Sequence, residues 1–291
     1  MNNPTILLTG GTGFLGSKIL EALVNQDYSV VLLKRSTSKL WRINHLLKRI
    51  KTFDADRISL DKVFKEQKID IVIHTACEYG RMNETLHHVA QSNIIFSLKV
   101  LDACLKYDIK TFINTDTLLP RNLNAYTLSK KQFFEWLKEK SDQIQIINIK
   151  IDLIYGTKDD TTKFIPWVIT QIKKNVPKIK FTKGEQERDF IFVDDVVSAF
   201  MIILKQSPNF QNYNEFDVGT GEPIKIRVFL ECLKKIYISN FGEIKTKFVY
   251  GEIPYRPNEM MAININNKSL NNLGWSPKIN LQQGLRKILK E

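Results

Sequence analysis

Thr5-Ile6-Leu7-Leu8-Thr9-Gly10-Gly11-Thr12-Gly13-Phe14-Leu15-Gly16 reads as a short buried strand, a glycine-rich turn and the first turn of a helix. Its glycines satisfy two spacings at once, Gly10-x-x-Gly13-x-x-Gly16 and Gly11-x-Gly13-x-x-Gly16. Glycine lets the backbone turn tightly and approach an anion, and the following helix N-terminus adds unpaired N–H groups and a favourable field. Gly10, Gly13, Phe14, Leu15 and Gly16 are therefore candidate ligands of a dinucleotide pyrophosphate. The helix is expected to run to Val24, with Phe14, Leu15, Ile19, Leu20 and Leu23 at helical spacing.

Outward from that turn, Val30-Val31-Leu32-Leu33, Ile69 to Ile73, Thr111-Phe112-Ile113 and Gln145 to Ile149 read as further strands. Helical patterns lie between them, notably Leu86 to Tyr107 and Ala125 to Lys140. This alternation predicts an α/β fold, a Rossmann-type doubly wound parallel sheet. After Gly156 the rhythm changes. Helices are expected over Phe164–Lys174, from an Asp194 cap to Lys205, and over Ile226–Tyr237, with strands at Asp189–Val193 and Glu215–Gly219. Turn signals such as Ile253-Pro254, Arg256-Pro257 and Ser276-Pro277 precede a closing helix. The expected division is a dinucleotide-binding domain of residues 1–155 plus 189–215, and a smaller α/β substrate-binding lobe of 156–188 plus 216–291.

The net charge of +12 favours an anionic partner. The lysines are scattered, with no dense basic block, so a phosphate-bearing small molecule is expected and nucleic acid is not. No apolar run approaches the length of a membrane span, and Met1-Asn2-Asn3-Pro4 leads into a strand without the marks of a signal peptide. Cys77, Cys104 and Cys232 have no metal-ligand spacing and read as reduced thiols of a cytoplasmic protein with no metal site.

Two further patterns carry chemistry. In Asn124-Ala125-Tyr126-Thr127-Leu128-Ser129-Lys130, a helix places Tyr126 and Lys130 one turn apart on one face. A phenol beside a fixed ammonium is expected to be a proton donor with a lowered pKa. At the end of the second strand, Leu33-Lys34-Arg35-Ser36 lacks the acid that holds the ribose of NAD. Lys34 and Arg35 suit a 2′-phosphate instead, so NADP(H) is preferred, with NAD(H) as the alternative. Asp54, after the third strand, is placed to accept from the adenine amine, with Ala55 beside it.

Thr9 to Gly16, His74-Thr75-Ala76, Asn93, Tyr126-x-x-x-Lys130, Tyr155-Gly156 and Arg188-Asp189-Phe190-Ile191-Phe192-Val193-Asp194-Asp195 occur in one order. Together they resemble the extended short-chain dehydrogenases/reductases, the nucleotide-sugar epimerase/dehydratase family. The resemblance implies a catalytic hydroxyl, Tyr and Lys, the last two at Tyr126 and Lys130. In Asn114-Thr115-Asp116-Thr117-Leu118-Leu119-Pro120 the hydroxyl falls on Thr115, with Thr117 as runner-up and otherwise a sugar contact. Only 11 residues separate Thr115 from Tyr126, fewer than is usual in the family.

Sugar-nucleotide 4,6-dehydratases read Thr-Asp-Glu in this region, and Thr117 stands where their glutamate is needed. The resemblance further implies that Arg188 and Arg256 meet a diphosphate and Glu259 a nucleotide ribose. Leu153 replaces the family's Asn before Tyr-Gly, and Phe192 its usual His. His74 and Asn93 are expected to be structural.

More narrowly, Leu32 to Ser36, His74 to Arg81 and Asn114 to Pro120 resemble the nucleotide 4-keto-deoxysugar reductases that make dideoxy sugars for bacterial lipopolysaccharide O-antigen. On that likeness Tyr79 and Arg81 could reach the sugar. The implied activity is NADPH-dependent reduction of a C4 ketone on a nucleotide sugar. The alternatives are a 4-epimerase with tightly bound NAD and a non-catalytic NADP(H)-binding sensor. The helices over Leu86–Tyr107 and Ala125–Lys140 match those that pair in family dimers, so a homodimer is expected.

Overall fold

The structure, a computed structural model, describes residues 3–290. Met1, Asn2 and Glu291, the extremes of the N-terminal reading and of the expected division, lie outside the described residues. The strands are β1 (Thr5–Thr9), β2 (Ser29–Lys34), β3 (Lys51–Asp54), β4 (Ile71–His74), β5 (Thr111–Thr117), β6 (Gln145–Ile151), β7 (Leu153–Tyr155), β8 (Lys178–Phe181), β9 (Glu187–Arg188), β10 (Phe190–Phe192), β11 (Tyr213–Val218), β12 (Ile224–Lys225) and β13 (Lys247–Tyr250). Seven of them form one sheet in the order β11-β6-β5-β4-β1-β2-β3. Every pairing in it is parallel. The strand order reverses between β1 and β4, the place where open α/β sheets present a ligand crevice.

The helices are α1 (Phe14–Asn25), α2 (Leu60–Glu66), α3 (Leu86–Ala90), α4 (Phe96–Lys106), α5 (Ala125–Glu139), α6 (Phe164–Lys173), α7 (Val193–Gln206), α8 (Ile226–Phe241), α9 (Lys268–Asn272) and α10 (Leu281–Leu289). Side chains alternate across each strand, and both sheet faces are covered. Ile6 and Leu8 of β1 pack with Ile19, Leu20 and Leu23 of α1 and with Val196 and Phe200 of α7. Leu7, between them, packs on the other face with Val100 and Leu101 of α4 and with Phe133 and Leu137 of α5.

Three details depart from the sequence reading. The helix expected over Leu86–Tyr107 is α3 and α4 joined by one π-helical turn, Gln91–Ile95. Such a wide turn is tolerated where a side chain in it is fixed by tertiary bonds, and Asn93 is buried there, bonded to Glu78 and Ser129. The strand expected over Glu215–Gly219 is β11, the edge of the main sheet, so a boundary at residue 215 would cut a strand paired with β6. Asp194 does not cap α7. Phe192 occupies that place without a side-chain bond, and Asp194 and Asp195 lie in the first turn, where the helix field favours acids.

A second core gathers Ile165, Val168 and Ile172 of α6, Phe229 and Leu233 of α8, and Leu285 and Leu289 of α10 around the β7–β10 pair. The last segment folds back onto α7. Asp195 accepts the backbone N–H groups of Lys278 and Ile279 at 3.0 and 2.9 Å, and Trp275 Nε1 donates to Ser198 Oγ at 2.8 Å. In α10, a Cβ on Gly284 would stand 2.1 Å from the Tyr155 hydroxyl oxygen, so only glycine lets the helix lie this close.

Candidate active site

The glycine turn is closed by Gly13 N–H donating to Gly10 O at 2.9 Å. Gly13 caps α1, so Phe14, Leu15 and Gly16 are its first residues, whose N–H groups have no partner within the helix. Gly10 adopts φ +71°, and a Cβ on Gly16 would lie 2.2 Å from Gly10 O. The cradle thus admits no Cβ at Gly10, Gly11 or Gly16 and offers a bare, positively polarised backbone there. That fits the pyrophosphate of a dinucleotide.

Beside it, at the ends of β2 and β3, Ser36 Oγ donates to Asp54 at 2.7 Å, Lys34 Nζ stands 4.0 Å from the same carboxylate, and Arg57 Nε 3.8 Å. The Ser36 bond chiefly holds the Asp54 carboxyl below its usual range. Asp56 accepts Ser36 N–H at 2.8 Å, and Ala55 N–H donates to Lys34 O. The Arg35 side chain is exposed, with no ion pair among the described residues. The structure therefore groups Lys34, Arg35, Asp54 and Ala55, and adds an acid, Asp56, that went unremarked in the sequence.

Thr115 and Thr117 point to the same side of β5, with Asp116 opposite. The Thr117 hydroxyl accepts Leu119 N–H at 3.2 Å. The Thr115 hydroxyl oxygen is buried with no partner among the described residues. Asp116 is held by Lys131 Nζ at 2.9 Å and by Asn148 Nδ2 at 3.1 Å.

Tyr126 and Lys130 lie in the first two turns of α5, which starts where it does because Asn124 and Thr127 form a reciprocal capping box. Lys130 is 2 % exposed. The Tyr126 phenol is pushed well above its usual pKa by burial first, then by Tyr79, Cys77 and Asp116. Burial likewise pulls Lys130 down. This corrects the expectation of a lowered phenol. The cost of burying charge outweighs the pull of the Arg81 guanidinium, and Tyr126 keeps its proton.

The Tyr79 ring lies 4.8 Å from the Tyr126 ring, and the Arg81 guanidinium 4.6 Å over Tyr79. The Cys77 sulfur first, then burial, raise the Tyr79 phenol. His74 is buried between Thr9 and Ser97, both hydroxyls at 2.9 Å, and burial lowers its pKa to about 3. It is a neutral structural residue, as expected.

Arg188, expected to meet a diphosphate, is buried, forms an ion pair with Glu259 and donates to Met260 O at 2.8 Å. Arg256 is exposed at the start of the same turn, where Glu259 N–H donates back to its carbonyl at 3.1 Å. Three residues named separately in the sequence thus share one corner. Phe192 is a core residue packed edge-on against Tyr155 at 5.4 Å, and Leu153 is half-buried in β7. Sequence reasoning missed Cys77 within its own quoted motif. It also missed Asp189, which is fully buried and accepts Thr220 N–H and Oγ1 and Gly221 N–H at 2.8–2.9 Å. The run Arg188 to Asp195 pointed to Asp189, but its partners lie 31 and 32 residues away.

Residues 6–219 match the model of the NAD dependent epimerase/dehydratase family. The chain belongs to that family. It is 33% identical to the CDP-abequose synthase of Salmonella typhimurium, over 98% of this chain and 97% of that one. It is 27% identical to a putative UDP-glucose 4-epimerase of Methanocaldococcus jannaschii, over 98% and 97%. The UDP-glucose 4-epimerase of Thermotoga maritima, solved with UDP-glucose, superposes with a TM-score of 0.85 at 23% identity, covering 98% of this chain and 97% of that one, and so shares the fold. This family member is an extended short-chain dehydrogenase/reductase, an NAD-dependent oxidoreductase-type enzyme that modifies nucleotide sugars. Among the described residues no helix is long and apolar enough to cross a membrane.

Proposed function

We propose that this enzyme reduces the C4 ketone of a nucleotide-linked 6-deoxy or 3,6-dideoxy hexose with NADPH, as a CDP-abequose synthase-like step in O-antigen sugar synthesis. The observation that carries the reading is the state of Thr115-Asp116-Thr117. The Thr115 hydroxyl is free to donate, while Asp116 is tied to Lys131 and Asn148 and no glutamate follows. That set can polarise a ketone but lacks the acidic pair of a dehydratase.

A reduced dinucleotide, its pyrophosphate held at the glycine turn, would supply a hydride to C4. Tyr126, kept protonated by burial, gives its phenolic proton to the oxygen that gains charge, so hydride and proton together yield the alcohol. Thr115 donates a hydrogen bond to the same oxygen. Lys130 stabilises the phenolate left on Tyr126 and holds the nicotinamide ribose. Lys34 and Arg35 take the 2′-phosphate, and Asp54 with Ala55 the adenine. Arg188 and Arg256 hold the substrate diphosphate, Glu259 its ribose, and Tyr79, Arg81 and Thr117 the sugar.

Residues 156–188 with the segment after β11 form the substrate lobe. The protein is cytoplasmic, and a homodimer is supported by the exposed apolar side chains Ile95, Leu128 and Trp136 on the helices that flank the sheet.

A second reading, a 4-epimerase that retains NAD, is favoured by Asp54 and Asp56, which bring two carboxylates to Ser36 beside Lys34. The test mixes purified protein with NADPH and a CDP- or dTDP-4-keto-6-deoxy sugar and follows reduced-nicotinamide absorbance and product mass. Stoichiometric NADPH oxidation is expected. C4 epimer interconversion with no net oxidation would give the second reading. In the same assay Arg35→Asp is expected to lower the NADPH-to-NADH preference by about 10-fold or more, and an unchanged ratio would reject the NADP assignment.

A further inference from the structure

Lys130 and Lys131 are neighbours on α5 with different destinations. Lys130 belongs to the proposed reacting set, whereas Lys131 Nζ donates to Asp116 Oδ2 at 2.9 Å and to the Thr117 carbonyl at 2.5 Å. Lys131 is the middle member of a stripe at four-residue steps, Thr127, Lys131 and Glu135, on one face of the helix. Thr127 Oγ1 donates to Arg121 O at 3.1 Å, and Glu135 pairs with the Arg121 guanidinium. The connection from β5 to α5, residues 118–124, is thus held at its start and its middle by the helix it leads into.

The strand end needs that grip. β4 stops at His74, which pairs with Asn114, so beyond Asn114 the described residues give β5 a neighbour only in β6. Leu118 N–H donates to Ile151 O of β6 at 3.1 Å, and Thr117, one residue earlier, turns its N–H and C=O to the vacant edge. Side chains meet both groups. Asp116 Oδ1 accepts the N–H at 2.7 Å, and Lys131 takes the carbonyl. The Asp116 side chain is wholly buried, and Asn148 Nδ2 donates to Oδ2 at 3.1 Å, beside the Lys131 ammonium. A carboxylate out of water is tolerated where it is paired and hydrogen-bonded. This one, with its lysine, replaces a missing strand. Thr115 stands in the same stretch, and its hydroxyl oxygen has no partner among the described residues, so the backbone sets its direction.

We propose that Lys131 is a positioning residue: through Asp116 and the Thr117 carbonyl it clamps the end of β5 to α5, and so fixes the Thr115 hydroxyl relative to Tyr126. Asp116 is the second member of the clamp and is spent on it. The proposal rests on Thr115, Tyr126 and Lys130 as the reacting set, not on the sugar, the nucleotide or the direction of reaction. The clamp also lets so short a connection between strand and helix hold a defined geometry.

The experiment is steady-state kinetics of the full chain with NADPH and CDP-4-keto-6-deoxyglucose, or with UDP-glucose where the unaltered enzyme interconverts C4 epimers instead, beside urea unfolding and titration of NADPH fluorescence. Lys131→Met keeps the stem and removes the ammonium. It is expected to lower kcat about 10- to 100-fold, with KM for the sugar nucleotide and the NADPH affinity within about 2-fold of wild type. Lys131→Arg keeps a cation between the two acceptors and is expected to recover most of kcat. Lys131→Met also leaves Asp116 buried and unpaired, so its urea midpoint should fall. Adding Asp116→Asn removes that charge and is expected to restore the midpoint while kcat stays low. Recovery of both in the double variant overturns the proposal, because the pair would then be a contact of the fold alone. So does wild-type kcat in Lys131→Met, or a rise in KM at unchanged kcat, which would place the ammonium on the substrate. Wild-type turnover in Tyr126→Phe, measured alongside, would instead remove the reacting set on which the clamp acts, and the proposal with it.

Discussion

At the glycine turn the surface proposed for the cofactor is bare backbone, while the surface proposed for the substrate diphosphate sets an Arg188–Glu259 ion pair beside the exposed Arg256. The turn is rigid because nothing else fits: a Cβ at Gly10 would come within 2.5 Å of Ala76 N, and one at Gly16 within 2.2 Å of Gly10 O. The opposite corner is held by an Arg188–Glu259 ion pair and a turn in which Asn258 adopts φ +60°. A backbone cradle suits a cofactor common to a whole family. A corner of paired charges can exchange partners when a particular nucleotide arrives, at the cost of keeping ions out of water.

Of the proposed reacting pair, Tyr126 and Lys130, loss of the phenol has the largest expected effect. Tyr126→Phe should lower kcat about 10²- to 10⁴-fold while leaving dinucleotide and nucleotide affinities near wild type, checked by single-turnover kinetics and titration. Near-normal turnover would remove Tyr126 from the mechanism.

Gly16→Ala forces a methyl onto a backbone carbonyl and should cost about 2–4 kcal/mol in urea unfolding, together with dinucleotide binding. A stable, cofactor-binding variant would show that the turn is softer than its packing implies. Arg188→Met leaves Glu259 partly buried and unpaired, so stability should fall by about 1–3 kcal/mol and KM for the nucleotide sugar rise 10-fold or more. Adding Glu259→Gln should restore stability but not KM. Recovery of both would reduce that corner to a structural role.

The smallest effect concerns Asp152, which accepts Asp189 N–H beside Arg188. Burial raises its pKa to about 6. A carboxyl whose folded pKa lies above its unfolded value stabilises fully below about pH 4 and loses that contribution as pH rises through about 6. Asp152→Asn should therefore gain roughly 1–3 kcal/mol at pH 8 and nothing at pH 4. Equal gains at both would rule out the titration.

The same contrast governs what the sequence discloses. The glycine spacing, the alternation of strands and helices and the Tyr126–Lys130 pair are local patterns, and they lead directly to the sheet, to α1 and to α5. Edges and boundaries are not local. Nothing within Glu215–Gly219 says that this strand lies against β6, because that pairing is made by Ile146 to Ile151, far back in the chain. The π-helical turn at Gln91–Ile95 exists to satisfy Asn93 through Glu78 and Ser129, and helical periodicity alone cannot show it. The pKa of Tyr126 escapes the sequence for a related reason: an i,i+4 ammonium is visible there, but the burial that raises the phenol, and the Tyr79 and Cys77 groups folded beside it, are not.

The return of the last segment to α7 bears on how the protein emerges from the ribosome. Strands β1 to β6 are adjacent in the sheet, and β11 adds at an edge, so the sheet can assemble vectorially as the chain lengthens. The second core cannot. Asp195 waits for Lys278 and Ile279, synthesised 83 and 84 residues later, and Tyr155 waits for Gly284. Until translation finishes, the nascent chain carries a complete nucleotide-binding sheet beside an unsealed apolar cleft, and a stop codon a few dozen residues early would leave that cleft open for good.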